Sequence, residues 1–178
     1  MKPADEIAFV DFAQGARPRL RRTAYLLCGD WDLASDHVQE GLIRVYVAWP
    51  RMRRTGGEHA YARRAVLSAF LDSTRKRSSK EYATEADATL SSDEDVAESV
   101  TARRALMAAL EKLPPRQRAC VVLRYFEDLD VAATAAALGC TQGTVKSQTS
   151  RALDSLRSMF DESPTGELVV INEGTSSW

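Results

Sequence analysis

The sequence predicts an all-α protein: two small helical domains joined by a flexible acidic linker, with a helix-turn-helix in the C-terminal domain. Two observations favour this fold class. Apolar residues recur at helical spacing with almost no strand pattern, and charge is segregated into blocks along the chain. With 178 residues, 44% of them hydrophobic and 28% charged, the composition is that of one medium or two small globular domains.

The first half of the chain predicts helices separated by glycine and proline. A short apolar patch over residues 23–28 ends at Gly29, and Asp32 or Ser35 is suited to cap the next helix. Pro50 and the pair Gly56–Gly57 predict a break before a third helix, which ends in the basic sequence STRKRSSK. The second helix carries apolar residues at helical spacing: Leu33, Val38, Leu42, Val45, Tyr46 and Trp49.

Charge alternates along the chain although the net charge is only −1. Residues 50–80 hold nine Lys and Arg against two acids, residues 81–100 hold seven Asp and Glu and no base, and residues 101–126 hold six bases against one acid. The pattern predicts two modules that face polyanions; solvated helix faces are the alternative. The acidic stretch is too polar to offset its ordering entropy, which predicts a linker over residues 81–100.

The C-terminal part shows helix boundaries clearly. Residues 103–113 predict a helix, and Pro115 suits the first position of the next one. Asp130 is placed to cap VAATAAAL, Gly139 to supply a left-handed turn, and Thr141 to cap the last helix. A short helix, a glycine turn and a second helix form a helix-turn-helix.

The last helix predicts one apolar and one polar face. Its apolar stripe, expected in the core, consists of Val145, Thr149, Ala152, Leu153, Leu156 and Phe160. The opposite face combines small hydroxyls with Lys and Arg, which suit a DNA major groove. A polar face that only meets solvent is the alternative. Gly143, the absence of Glu on the face and the preceding scaffold helix favour DNA.

Other classes of protein find little support. No apolar run approaches the roughly 20 residues that span a bilayer, and acids interrupt the N-terminal apolar stretch, unlike in a signal peptide. Three well-separated cysteines, Cys28, Cys120 and Cys140, predict reduced thiols in the cytoplasm. His37 and His59 do not pair with them at metal-ligand spacing. We expect no metal, no cofactor, no membrane insertion and no enzymatic activity.

At this point the residues resemble a known family. The stretch LPPRQRACVVLRYFEDLDVAATAAALGCTQGTVKSQTSRALDSLR resembles the fourth conserved region of bacterial sigma factors. RTAYLLCGDWDLASDHVQEGLIRVYVAWP and YARRAVLSAFLDSTRKRS are similar to the two parts of the second conserved region. By this resemblance, which spans roughly residues 8–160, the chain is identified as an extracytoplasmic-function sigma factor of the SigE-like family of actinobacteria.

The resemblance implies a division of the chain. Residues 1–80 would form the region 2-like domain, which binds core RNA polymerase and recognises and melts the −10 element. Residues 81–100 would be the flexible acidic linker, and residues 101–160 the region 4-like helix-turn-helix that reads the −35 element. The tail, residues 161–178, is expected to be disordered.

The resemblance also implies roles for individual residues. Docking on the clamp helices of the largest polymerase subunit falls to Asp36, Gln39 and Glu40. The resemblance assigns contact with the −10 element to Arg53, Arg54, Arg63, Arg64, Ser68, Asp72, Arg75, Lys76 and Arg77. Contact with the −35 element falls to Thr141, Gln142, Thr144, Lys146, Ser147, Ser150 and Arg151.

The partners implied are core RNA polymerase, through its clamp helices and flap, promoter DNA, and an anti-sigma factor or other regulator. His37 stands where the family has an apolar residue, so we expect it to be partly exposed or a weak point in packing. Two alternatives remain open: a stand-alone helix-turn-helix transcriptional regulator, and a helical adaptor whose basic faces bind acidic proteins.

Overall fold

The computed structural model describes residues 3–52, 57–81 and 99–161, and over those ranges its regular structure is helical throughout. The all-α prediction is therefore confirmed. Within the same ranges, no helix combines the length and the apolar character needed to cross a bilayer. The helices are α1 Pro3–Cys28, α2 Trp31–Met52, α3 Glu58–Glu81, α4 Ser99–Lys112, α5 Pro115–Val121, α6 Val131–Leu138 and α7 Gln142–Asp161, with a π-helical turn over Val122–Phe126 after α5.

The start and the end of α2 differ from the sequence prediction. Asp30 caps this helix, because its Oδ1 accepts hydrogen bonds of 2.8 Å from the backbone N–H of both Asp32 and Leu33. The prediction of Asp32 or Ser35 as the cap is wrong. Pro50 does not end α2, which continues to Met52. A proline in the last turn costs the helix a single backbone hydrogen bond, and the packed helix tolerates that loss.

Helices α1, α2 and α3 form a bundle with an aromatic end. Trp49 of α2 is buried, and the rings of Phe9 and Phe12 of α1 lie 5.4 and 5.1 Å from its indole. Val38 and Val45 occupy the same core cluster. Of the apolar residues predicted for α2, Val38, Val45 and Trp49 are buried in this core, whereas Tyr46 is 42% exposed.

Helices α2 and α3 approach each other closely at Gly41. A Cβ added there would lie 2.6 Å from Cγ2 of Val66 and 3.1 Å from the Val66 backbone nitrogen. Real Cβ atoms essentially never lie within 3.0 Å of another heavy atom. The missing side chain therefore sets the spacing between the two helices.

The C-terminal helices follow their local signals closely. Pro115 begins α5, Asp130 caps α6 through a hydrogen bond from the N–H of Ala133, and Gly139 adopts φ 61°. On α7, Val145 and Ala152 are fully buried. Those predictions are confirmed. The predicted apolar stripe of α7 is too long at its C-terminal end, because Phe160 is 41% exposed.

The chain between α5 and α6 contains a feature that the sequence did not predict. The N–H of Glu127 donates to the carbonyl of Val122 at 3.0 Å, which closes a π-helical turn. Asp128 follows with a left-handed φ of 53°. Val122 and Leu123 are buried, whereas Tyr125 and Phe126 are exposed. The turn ends α5 and directs Glu127 back toward the first three helices.

The two halves of the chain pack against each other. Leu27, Leu67 and Phe70 from the first half form one buried cluster with Ala119, Val122 and Leu123 from the second. The predicted acidic linker, residues 81–100, lies outside the described residues except for residues 81, 99 and 100, which are helical, and the predicted tail, residues 161–178, lies outside them except for Asp161. The predicted domain boundaries stay a prediction, and the shared cluster adds an interface between the two halves.

We predict that Gly41→Ala lowers the free energy of unfolding by up to about 2 kcal/mol. Overpacking a tight contact costs about 1–3 kcal/mol, and the better helix propensity of alanine returns only part of it, about 1 kcal/mol. Gly15→Ala is the matched control on α1, because nothing lies within 4 Å of a Cβ at that position. It should stabilise by about 0.5–1 kcal/mol in the same urea titration. Equal effects of the two substitutions would contradict the close approach.

His37 supplies a pH-dependent prediction. It is buried, with its ring edge-on to Phe70, and burial lowers the pKa of the imidazole, a shift that Asp36 and Glu40 oppose and Arg77 reinforces. The unfolded chain therefore binds a proton at His37 at a higher pH than the folded chain does. Stability attributable to this residue is complete above about pH 6.5 and is lost as the pH falls toward the folded pKa.

Urea unfolding at pH 7.5 and pH 5.5 measures this effect. The native chain should lose more stability on acidification than His37→Gln, which cannot titrate, by up to about 1.4 kcal/mol for each unit of pKa shift. Parallel losses in the two proteins would show that His37 is not buried in its neutral form.

Candidate nucleic-acid interface

One exposed face of α2 carries the residues assigned to polymerase docking. Asp36, Gln39 and Glu40 lie within about one helical turn of one another, and all three are exposed. The structure therefore brings together the three residues that the resemblance singled out. Their carboxylates and amide form a polar patch that is available to a partner.

The same face continues as an apolar surface. Ile43, Tyr46 and Val47 are 57%, 42% and 75% exposed, and they follow Glu40 at helical spacing. Sequence analysis did not single out Ile43 and Val47 and placed Tyr46 in the buried stripe. The signal was present, because these residues lie off the stripe that contains Val45 and Trp49. Large exposed apolar side chains on one helix face are typical of a protein-binding surface.

Helix α3 presents the basic residues assigned to the −10 element. Arg75, Lys76 and Arg77 are exposed at its end, and Ser68 and Asp72 are half-buried on the same helix. The structure thus places most of the set on one element. Two members of the predicted set, Arg53 and Arg54, lie outside the described residues.

Asp72 organises the middle of α3. Its carboxylate accepts hydrogen bonds from Ser68 Oγ, at 3.3 Å, and from Arg75. The hydrogen bond from Arg75 is the main reason that the pKa of Asp72 lies below its usual value. The carboxylate therefore remains ionised at neutral pH and orients Arg75 toward solvent, where a phosphate could meet it.

Arg44 connects the polymerase-docking face to the basic helix. It forms an ion pair with Glu40 one turn earlier on α2, and its Nη2 lies 3.5 Å from Oδ2 of Asp72 on α3. Sequence analysis did not find Arg44, although its spacing of four residues from Glu40 is a signal for an ion pair on a helix. The contact to Asp72 depends on how α2 and α3 pack.

Arg63 and Arg64 lie where the basic helix meets the second half of the chain. Arg63 Nε is 3.4 Å from Oε2 of Glu127, so this arginine is engaged within the protein. Arg64 lies beside the helix-turn-helix, with its Nη2 3.8 Å from the position of a Cβ on Gly139. Helix α3, which carries the predicted −10 residues, therefore contacts the second half of the chain through these two arginines.

Side-chain hydroxyl groups make the hydrogen bonds at the start of α7. Thr141 Oγ1 accepts a hydrogen bond of 3.1 Å from the N–H of Thr144, and the two threonine hydroxyls are 2.9 Å apart. Ser147 Oγ donates to the Thr144 carbonyl at 3.0 Å. These contacts confirm Thr141 as the cap and fix the first turn of the candidate recognition helix.

The polar face of α7 is available to a ligand. Gln142, Lys146, Ser147, Ser150 and Arg151 are exposed, and Thr144 is half-buried. All the residues predicted to contact the −35 element therefore belong to this helix or, for Thr141, to its cap. Short polar side chains followed by Lys and Arg form a surface that can approach base edges and phosphates.

A shallow groove beside this face adds two arginines that sequence analysis did not single out. Arg124 of the π-helical turn and Arg157 of α7 line it together with Lys146 and Ser150. Arg124 donates a hydrogen bond to the carbonyl of Leu129, and Arg157 Nη1 lies 3.4 Å from Asp154 Oδ1. The positive charge of the helix-turn-helix is therefore broader than the predicted set of residues.

The described residues give little support for thiol chemistry or metal binding. Cys28, Cys120 and Cys140 are free thiols, and burial raises the pKa of Cys120 to about 11, which makes that thiol a poor nucleophile. Among the described residues, no three His, Cys, Asp or Glu side chains are grouped so that they could hold a metal ion.

Comparisons with known proteins agree with this geometry. Residues 13–80 match the model of sigma-70 region 2, and residues 103–156 match that of sigma-70 region 4. The RNA polymerase sigma-E factor of Streptomyces avermitilis is 36% identical over 88% of this chain and 87% of that protein. The sigma-E factor of Streptomyces coelicolor is also 36% identical, over 85% of each chain.

More distant proteins share the same organisation. The ECF RNA polymerase sigma factor SigM of Mycobacterium tuberculosis is 29% identical over 91% of this chain and 82% of its own length. Among solved structures, the sigma factor RpoE of Bartonella quintana, in complex with the anti-sigma factor NepR, has a TM-score of 0.69 at 22% identity. The match covers 87% of this chain and 98% of that one. That structure shows the fold.

The two matched regions account for both surfaces that the structure displays. The matches favour neither a stand-alone regulator nor an adaptor, because those alternatives leave the N-terminal match unexplained. The chain belongs to the extracytoplasmic-function sigma factors, the non-enzymatic initiation factors that join core RNA polymerase and direct it to promoters.

Proposed function

We propose a division of labour between the two halves of this sigma factor. Residues 1–80 bind core polymerase and open the −10 element, residues 81–100 link the halves, and residues 101–160 read the −35 element. The observation that carries the proposal is the presence of two separate exposed polar surfaces, on α3 and on α7, in the two matched regions.

The exposed face of α2 is the polymerase-docking surface in this proposal. Asp36, Gln39 and Glu40 supply polar contacts to the clamp helices, and Ile43 and Val47 supply apolar area. An interface built from a few large apolar side chains with a polar rim is typical of stable protein contacts. Contact with the polymerase flap is assigned to the second half of the chain.

Helix α3 engages the −10 element through its basic side chains. Arg75, Lys76 and Arg77 neutralise phosphates, and Asp72 holds Arg75 in position. Ser68, which donates a hydrogen bond to Asp72 one turn later, is the proposed contact to a base. Arg53 and Arg54 remain proposed contacts of the same element.

Helix α7 reads the −35 element from the major groove. Lys146 and Arg151 contribute charge and a bidentate fork, and Thr144, Ser147 and Ser150 contribute hydroxyls near base edges and phosphates. Gln142 and the Thr141 cap complete the N-terminal turn of this helix, the end that recognition helices commonly direct at DNA bases.

We also propose that the protein acts in the cytoplasm, beside RNA polymerase. A second protein, a regulator, is proposed to hold it inactive. The exposed apolar residues of α2 support such a partner, as does the similar fold of a sigma factor solved with an anti-sigma factor. We expect a protein that co-purifies with the native chain to inhibit transcription when added back. Recovery of only free chain and polymerase complexes would count against such a regulator.

Run-off transcription with core polymerase over a promoter library tests the proposed function. Arg75→Ala with Arg77→Ala removes two charged contacts to phosphates and should reduce promoter opening about tenfold or more, while the affinity for core polymerase stays within about twofold. Lys146→Ala with Arg151→Ala should reduce initiation from promoters that depend on the −35 element. It should also lower the salt slope of DNA binding by about 0.9 for each phosphate that is no longer neutralised.

Arg22→Ala is the matched control, because Arg22 is an exposed arginine of α1 outside all the proposed surfaces. It should behave as the native chain in every assay. Equal loss of polymerase binding and promoter opening in the Arg75 and Arg77 variant would show that these arginines serve structure. Failure of the native chain to bind or redirect core polymerase would overturn the proposed function.

A further inference from the structure

Four charged side chains of alternating sign cross from α2 to α3. Glu40 forms an ion pair with Arg44 one turn later on α2. Arg44 Nη2 lies 3.5 Å from Oδ2 of Asp72 on α3, whose Oδ1 accepts a hydrogen bond from Arg75. All four side chains line one groove of about 450 Å³ between the two helices. This charge row therefore joins the surface proposed for polymerase to the surface proposed for the −10 element.

Asp72 carries an unfavourable charge for a surface that meets phosphates. The hydrogen bond from Arg75 is the main reason that the pKa of Asp72 lies below its usual value, so the carboxylate is ionised at neutral pH. An ionised carboxylate repels a phosphate and cancels part of the charge of the arginine that it binds. Arg75 can therefore contribute its full charge to DNA only when a second cation neutralises Asp72.

Arg44 is placed to be that cation. Asp72 contacts the two arginines through different oxygens, Arg75 through Oδ1 and Arg44 through Oδ2. Arg44 can therefore approach the carboxylate more closely without displacing Arg75, which keeps its orientation. The side chain of Arg44 is 36% exposed, because it lies between the carboxylates of two helices.

Glu40 competes with Asp72 for the same guanidinium. Arg44 lies closer to Glu40 than to Asp72, and both contacts use its Nη2. In the free chain the charge of Arg44 is therefore divided between two carboxylates. Glu40 is 54% exposed, so a partner can reach it. A partner that neutralises Glu40 with a cation of its own weakens the hold of Glu40 on Arg44.

We propose that Arg44 is a positioning residue that couples polymerase docking to engagement of the −10 element. When core polymerase binds Glu40, Arg44 moves toward Asp72 and neutralises it. Arg75 then presents its full charge to a promoter phosphate, while Asp72 still orients it. The inference rests on the proposed function for the roles of Glu40 and Arg75, and it requires no contact of Arg44 itself with polymerase or DNA.

Binding of a single-stranded −10 oligonucleotide to the complex of the full-length chain with core polymerase tests the coupling. Arg44→Gln removes the charge and keeps a polar side chain. At a fixed salt concentration it should weaken oligonucleotide binding about two- to fivefold, the range expected for a partly exposed charge pair. The affinity for core polymerase should stay within about twofold, because Glu40 remains available to its partner.

The salt dependence of the same binding distinguishes a loss of charge from a loss of structure. The slope of log K against log salt is about −0.7 for each phosphate neutralised on a single strand. In Arg44→Gln the slope should become shallower by up to about 0.7, because Asp72 then cancels the charge of Arg75. Arg44→Lys keeps the positive charge and should retain the native slope. Arg44→Gln combined with Asp72→Asn should restore the slope, because no carboxylate is left to cancel Arg75.

A titration of the free chain tests the ion pairs without polymerase. The pKa of Asp72, followed by NMR at its carboxyl carbon, should rise in Arg44→Gln, which loses a nearby cation. It should fall in Glu40→Gln, which leaves Arg44 to Asp72 alone. Arg22→Ala, an exposed arginine of α1 outside the charge row, is the matched control and should leave the pKa, the affinity and the slope unchanged.

The outcomes separate the coupling from the proposed function. If Arg44→Gln binds the oligonucleotide with native affinity and slope, while the native complex directs transcription, the coupling is wrong and the proposed function stands. If Arg44→Gln loses affinity for polymerase and oligonucleotide together, and Arg44→Lys restores neither, Arg44 serves structure alone and the coupling is wrong. If the native chain with core polymerase binds no promoter element, the proposed function fails and the coupling with it, whereas the titration still shows whether Arg44 is shared between Glu40 and Asp72.

Discussion

A carboxylate that is nearly excluded from water must be neutralised, and the contact between the two halves of this sigma factor is organised around that requirement. Glu127 reaches the interface because the π-helical turn ends α5 and Asp128 then turns the chain with a left-handed φ of 53°. Arg19 and Arg63 meet its charge from α1 and α3. The apolar cluster around Phe70 supplies area, while the ion pairs supply orientation. Arg63, which also belongs to the proposed promoter surface, is therefore engaged within the protein in this structure.

Local signals in the sequence were sufficient for the fold class and for several helix boundaries. Asp130, Gly139 and Thr141 each act through hydrogen bonds or backbone angles within a few residues, so their roles were readable without a structure. The cap of α2 was harder, because Asp30 and Asp32 both stand near its start and only the geometry selects Asp30. Phe160 was assigned to the core on periodicity, but nothing among the described residues covers that end of α7 enough to bury it.

For the candidate site too, some residues could be predicted from the sequence and others could not. The family resemblance supplied Gln39 and Lys146, and both are exposed on the expected helices. Arg44 and Glu127 could not be found by pattern, because their significance lies in partners on other helices. The apolar face at Val47 was a readable signal, since it lies off the buried stripe of α2. Tertiary packing thus decides how the individual surfaces are coupled, which a linear pattern does not record.

In the proposed function, one chain bound to core polymerase reads both promoter elements. Footprinting of DNA in the complex of this chain with core polymerase tests that claim most directly. We expect two protected patches whose centres are about 25 base pairs apart, roughly 85 Å along the duplex, with unpaired bases within the downstream patch. A single protected patch at either element, with duplex DNA throughout the other, would contradict the claim.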